Sequence, residues 1–127
     1  MTRLAIVGGG FTGAIVAIHA LRAARVPLSI DIVEPRADLG LGLAYSTPHA
    51  EHRLNVPTHR MTLFDEQPEH FREWFFRQGL DRSDAASDAG DGYFFARRRD
   101  FGRYVIDLLD ATVRAAAPAS TLRHRRT

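Results

Sequence analysis

The sequence predicts an α/β fold that opens with a parallel β-α-β unit, and three observations carry that expectation. The run Arg3 to Val7 is mostly apolar and ends at glycine, so it reads as a strand buried on both faces, as in a parallel sheet. From Gly13 to Ala24 the residues Ala14, Ile15, Val16, Ala17, Ile18, Ala20 and Leu21 are apolar nearly all round, which predicts a largely buried helix that stops by Pro27. Leu28 to Val33 then carries β-branched Ile30, Ile32 and Val33 and reads as the second strand.

The remaining elements follow from punctuation and periodicity. Residues 35–67 hold three prolines and two glycines with little periodicity, which predicts an irregular segment lying over the fold. A helix is expected from Pro68, a good first-turn residue, through Phe71, Trp74 and Phe75 to Gln78, with Gly79 as its stop. Asp81 to Gly92, almost wholly Asp, Ser, Ala and Gly, reads as a flexible, solvated connection. Phe101, Tyr104, Val105, Leu108, Thr112 and Val113 recur at helical spacing up to Pro118, an amphipathic helix that makes 68–118 a helical region. Leu122 to Thr127 reads as the start of an unfinished strand, so residues 1–127 are expected to form one incomplete domain.

Composition narrows the class of function. With 127 residues, 45% hydrophobic and 25% charged, the chain is of ordinary globular character and single-domain size. All 17 basic residues other than histidine are arginine, which suits phosphates and carboxylates. The absence of cysteine excludes disulfides, thiolate metal sites and cysteine nucleophiles. No stretch approaches the ~20 apolar residues of a membrane helix, and Leu4 to Val7 is too short for a signal-peptide core. A cytoplasmic protein without membrane partners is expected.

Gly8-Gly9-Gly10-Phe11-Thr12-Gly13 matches G-x-G-x-x-G between the first strand and the first helix. In a dinucleotide-binding fold Gly8 permits the tight turn, Gly10 lets the backbone approach a pyrophosphate, and Gly13 lets helix and sheet pack closely. Free N–H groups and the positive helix end face the phosphates, and Phe11 and Thr12 are candidate contacts within the same loop. Glu34 follows 21 residues after Gly13, at the end of the second strand, where a carboxylate accepts hydrogen bonds from the adenosine ribose. The expectation is a Rossmann-like βαβ unit with a mostly helical insertion, an incomplete doubly wound parallel sheet. A 2′-phosphate beside Glu34 would meet like-charge repulsion, which disfavours NADP at this position; FAD and NAD both remain open because they share the ADP half.

Beyond the glycine loop, Glu34-Pro35-Arg36, Leu39-Gly-Leu-Gly-Leu-Ala-Tyr45, Leu54-Asn-Val-Pro57, Met61, Phe71-Arg-Glu-Trp74 and Arg98-Arg-Asp-Phe-Gly-Arg-Tyr104 occur in that order. Through these motifs, from its start to about Leu109, the chain resembles a family of FAD/NAD(P)-binding, flavoprotein-like oxidoreductases. The resemblance implies FAD in an extended pose, Gly42 in a second glycine turn near it, Asn55 in a loop close to it, and Arg36 and Arg98 among its contacts. It also implies NAD or NADP as co-substrate of an FAD-dependent oxidoreductase. The family tends to have proline where this chain has Arg97, and its members usually continue well beyond this length. The expected function is therefore the N-terminal FAD-binding part of a flavin-dependent oxidoreductase acting on an unknown small molecule. The alternatives are an NAD-binding dehydrogenase segment and a truncated, non-catalytic nucleotide-binding module.

Other constellations have plainer readings. His49, Glu51, His52 and His59 lack a helical His-x-x-x-His pair, so they read as loop histidines and no metal site is expected. The Arg97-Arg98-Arg99 run precedes a helix, and one of its members is a candidate pyrophosphate contact with the others solvated, so neither it nor the Arg123-His-Arg-Arg126 tail points to nucleic acid. Trp74, Phe75 and Phe76 read as core, and His19 as a partly buried histidine. There is no Ser-His-Asp arrangement, and flavin chemistry would not require one.

Overall fold

A computed structural model describes all residues from Met1 to Thr127. In chain order it contains strand β1 (Thr2–Val7), helix α1 (Phe11–Ala23), strand β2 (Leu28–Val33), helix α2 (His70–Arg77), a short helix α3 (Leu80–Ser83), helix α4 (Arg98–Ala115) and strand β3 (Thr121–Arg125). Single 3₁₀ turns occupy Thr58–Arg60 and Ala85–Ser87. The fold class is α/β with a three-stranded parallel sheet, a partial Rossmann-like arrangement. Two compact units divide the chain: Met1–Ser46 with Val105–Thr127, and Thr47–Tyr104.

In the first unit the strand order is β1-β2-β3, with Thr2 to Val7 registered on Leu28 to Val33 and Ser29 to Val33 registered on Thr121 to Arg125. Alternation puts Leu4, Ile6, Leu28, Ile30, Ile32 and Leu122 on one face, and α1 packs on β1 and β2 there. The opposite face carries Asp31 between Arg123, at 3.0 Å, and Arg125, at 3.3 Å. Partial burial works to raise the Asp31 carboxyl, but the two guanidiniums outweigh it and hold it below its ordinary value.

The structure corrects the reading of β1 as buried on both faces. Only β2 has a strand on each side; β1 is an edge strand, and its Val7 is 87% exposed. Helix α1 is likewise buried on one face only, through Gly13, Ala14, Ala17, Ile18 and Leu21, with Val16 exposed. His19, expected to be partly buried, lies on the exposed side. The stretch after Pro118, expected as an unfinished strand, is a five-residue strand paired along its length with β2.

The second unit is built on aromatic packing. Phe71, Trp74 and Phe75 of α2 and Phe101 and Tyr104 of α4 are buried, with ring centroids 4.8 Å apart for Phe71 and Tyr104 and 5.0 Å for Phe71 and Phe101. Helix α2 starts at His70, two residues after the expected Pro68, and ends as expected at Gly79, whose φ of +70° is the left-handed stop that glycine favours. Burial pushes the Tyr104 phenol far above its usual range, and His70 Nδ1 lies 2.7 Å from its oxygen.

The expectation of a solvated connection over Asp81 to Gly92 is also corrected. Leu80, Asp84 and Ser87 are buried, and α3 and a 3₁₀ turn order the segment. The cause is an ion pair between parts distant in sequence: Arg53 donates to both Asp84 oxygens at 2.8 and 2.7 Å. Composition alone describes the segment's solvated residues, not the one carboxylate that a distant arginine draws inward.

Candidate functional site: two glycine turns at the end of the sheet

The site of the first unit grows from the end of β1. Gly8 leaves the strand with a φ of +98° while its N–H still donates to the Val33 carbonyl at 2.9 Å. Gly10 then caps α1 with no side-chain hydrogen bond, and the first turn of α1 has no acidic residue. The chain itself therefore leaves this positive helix end unneutralised. A Cβ on Gly13 would stand 2.0 Å from the Gly8 carbonyl oxygen, so only glycine allows the helix to start this close to the strand.

A second glycine turn, Leu39 to Leu43, is joined to the first. Gly40 N–H donates to the Gly9 carbonyl at 2.8 Å, and an added Cβ on Gly10 would lie 3.4 Å from Gly42 Cα. Gly42 takes a φ of +55° there. The two turns meet backbone to backbone along one wall of a cleft of about 420 Å³ lined by Gly8, Gly10, Thr12, Gly42, Val7 and Leu43 among others, none of its lining residues charged. Phe11 also lines it and meets Tyr45 edge-on at 5.6 Å.

Glu34 stands behind the first turn and is 5% exposed. Its two oxygens accept from Gly9 N–H and Arg36 N–H, each at 2.9 Å, with the Arg36 guanidinium 3.6 Å away. The backbone N–H groups of Arg36 and Gly9 hold its carboxyl below the ordinary carboxylate range, so it is an anion. Each oxygen keeps acceptor capacity beyond the bond it already makes.

The structure thus brings together Gly8, Gly10, Phe11, Thr12, Gly13 and Gly42 in one cleft, with Glu34 and Arg36 joined behind its first turn. Gly9, Leu39 and Gly40 belong to the same arrangement and were not expected. A Cβ on Gly9 would meet Glu34 Cβ and Leu39 Cδ2, both at 2.6 Å. The repeated Leu-Gly pattern at 39–42 was the available signal.

Asn55 and Arg98 lie in the second unit, where segments 52–58 and 94–98 run side by side. Leu54 N–H donates to Ala96 O, Thr58 N–H to Phe94 O, and Arg98 N–H to His52 O. Both Asn55 and Arg98 are exposed, and Arg98 Nε donates to the Arg53 carbonyl at 3.3 Å. Arg97 is not solvated as expected: its Nε lies 2.6 Å from Asp100 and 3.6 Å from Asp84, inside the buried ion network that Arg53 begins. Arg99 donates to the Pro48 carbonyl at 3.1 Å. Among the loop histidines, His52 Nδ1 lies 2.6 Å from Thr47 Oγ1, and the His59 ring meets Tyr93 edge-on.

No helix is long and apolar enough to cross a membrane. Comparison with curated proteins returns no match. A family model described as FAD-NAD(P)-binding matches residues 5–127, which spans both glycine turns, Glu34 and the motifs of the second unit. On that match over nearly its whole length, the chain belongs to the FAD-NAD(P)-binding family.

Proposed function

We propose that the glycine-turn cleft binds the ADP half of FAD, and that the chain is the N-terminal FAD-binding part of a flavin-dependent oxidoreductase. The observation that carries the reading is the meeting of Gly10 and Gly42, where bare backbone replaces side chains beside an uncapped helix end. A pyrophosphate needs that close backbone approach and that positive helix terminus. The residues fit the group, because a Cβ on Gly10 would occupy the space between the turns.

In this reading Gly8, Gly10, Phe11, Thr12 and Gly13 receive the pyrophosphate, Glu34 accepts from the adenosine ribose, and Gly42 extends the cleft for an extended cofactor. Arg36, Asn55 and Arg98 are proposed as further contacts. The choice of FAD over NAD rests on the resemblance carried by the motif series, since the ADP half that the glycine turns would receive is common to both. Bound flavin would supply the electron and hydride exchange, and the protein would hold and orient it. NAD or NADP is proposed as the co-substrate.

Thermal unfolding of the chain with FAD, NAD and NADP separately tests the choice. FAD should stabilise most, and NADP least because its 2′-phosphate would face the Glu34 carboxylate. Stabilisation by NAD alone would replace the flavin reading with a dehydrogenase reading, and no stabilisation by any of the three would end both.

A further inference from the structure

We infer that His124 is a positioning residue for Glu34: its imidazole N–H grips the Glu34 backbone carbonyl and so fixes where the carboxylate stands to meet a ribose, without touching the ligand itself. The inference rests on the cofactor reading for what Glu34 receives, whereas the grip on Glu34 is tested apart from it.

Glu34 stands one residue beyond β2, where the sheet gives up its hold on the chain. Its N–H still donates to the Arg125 carbonyl at 3.0 Å. After it, Pro35 has no N–H to offer, and the Arg36 N–H is taken up by the Glu34 carboxylate. The Glu34 carbonyl is held by a side chain instead, with His124 Nε2 2.9 Å from it. A carbonyl only accepts, so Nε2 carries the proton and the imidazole donates.

The place of His124 in β3 supports the same role. Arg123 and Arg125 turn to the outer face and meet Asp31, whereas His124 shares the inner face with Leu122 and is registered on the fully buried Ile32. Packing alone calls for an aliphatic side chain there, and a polar ring costs stability unless it is bonded. The half-buried imidazole makes its bond to Glu34. Arg126 adds two bonds to the Pro35 carbonyl, but both are 3.4 Å long and come from an exposed side chain, so they hold less.

The Glu34 carboxylate is thereby fixed from both ends, since its oxygens accept from Gly9 and Arg36 N–H. Freed at its carbonyl, the Glu34–Pro35 peptide can turn and carry the carboxylate with it. Hydrogen bonds weaken steeply with misalignment, so a ribose contact fails before the fold does.

Two variants and two ligands test this, with far-UV circular dichroism confirming the sheet in each variant. His124→Gln offers an amide N–H in place of Nε2, whereas His124→Leu keeps the packing and loses the donor. The wild-type chain should bind ADP roughly ten- to a hundredfold more tightly than 2′,3′-dideoxy-ADP, because only ADP offers Glu34 ribose hydroxyls. His124→Leu should reduce that preference to about threefold or less by weakening ADP alone, and His124→Gln should retain it. Equal weakening of both ligands, as a general loss of structure would give, overturns the inference. So does a preference that survives in His124→Leu, or one that both variants lose alike. Hydrogen exchange at the Gly9 and Arg36 amides of the ligand-free chain reads the grip without any cofactor, and should quicken in His124→Leu but not in His124→Gln. A wild type that binds neither nucleotide removes the cofactor reading, and one that binds both alike removes Glu34 from the ribose. In either case the exchange decides the grip, and unchanged exchange in His124→Leu overturns it.

Discussion

The two units solve the problem of order by opposite means. In the first, the working part is backbone: Gly9, Gly13 and Gly40 let two turns and a helix end approach to distances that side chains would forbid, Gly8 and Gly42 take positive φ, and the cleft lined by Gly8, Gly10, Gly13 and Gly42 holds no charge. In the second, order comes from side chains, an aromatic cluster around Phe71 and Tyr104 and a network of Arg53, Asp84, Arg97 and Asp100. Backbone constraints tolerate no added atom, whereas side-chain constraints fail by losing a partner. The comparison therefore predicts different substitutions, and different readouts, for the two units.

The largest effect is expected at Gly13. Gly13→Ala would place a methyl group 2.0 Å from a backbone carbonyl oxygen that no rotamer change can move. We expect a loss of about 3 kcal/mol or more in chemical denaturation, beyond ordinary overpacking because the obstacle is main chain. A loss under about 1 kcal/mol, the scale of ordinary surface substitutions, would show that the turn relaxes and would weaken the contrast between the units.

Next comes the ion network. Arg53→Ala strands Asp84, which is 6% exposed, without either of its guanidinium hydrogen bonds, leaving Arg97 at 3.6 Å and Arg99 as its remaining cationic neighbours. Breaking a buried pair in this way costs about 3 kcal/mol. Trp74, the single tryptophan and a buried member of the aromatic cluster, reports the change through the urea midpoint of its fluorescence. The Arg53 hydrogen bonds hold the Asp84 carboxyl below its ordinary value of 3.8. Its contribution is therefore complete above about pH 4 and is lost as the pH falls through the depressed value. Arg53→Ala should flatten that acid limb, and an unchanged limb would assign it to another carboxylate.

How much of this was legible in the sequence follows the same division. Glycine carries its reason on its face, so Gly8, Gly10, Gly13 and the acid after β2 could be read from spacing, and β2 was placed at Leu28 to Val33 as found. Gly9 was missed because its constraint comes from Glu34 and Leu39, which the chain brings to it only after β2 returns. The Asp81 to Gly92 segment was misread because Arg53 and Asp84 are 31 residues apart and nothing local marks either as the other's partner. The exposure of β1 was not legible either, since an apolar run reports what a strand can bury and not which side of the sheet it occupies.

Glu34 lies between the two modes, a side chain whose work is to hold backbone. Glu34→Gln keeps the shape but presents an amide N–H group toward one of the two N–H donors, Gly9 or Arg36. A lower melting temperature is expected together with roughly ten- to hundredfold weaker binding of FAD and of ADP alike, from loss of charge-assisted bonds to the shared ribose. Weakening of FAD without ADP would remove Glu34 from the ribose. The smallest effect is expected for Asp31→Asn on the outer sheet face, because its two arginine partners are solvent-exposed and such pairs contribute little.

The central claim is that bare backbone at the meeting of the two glycine turns holds the pyrophosphate. Titrating the wild-type chain and Gly10→Val with ADP and with FAD, alongside circular dichroism to show that the sheet persists, tests it directly. The wild type should bind both ligands, and the valine variant should lose both by at least roughly a hundredfold, since the branched side chain fills the approach to the backbone. A folded Gly10→Val protein that binds ADP as tightly as the wild type would contradict the account.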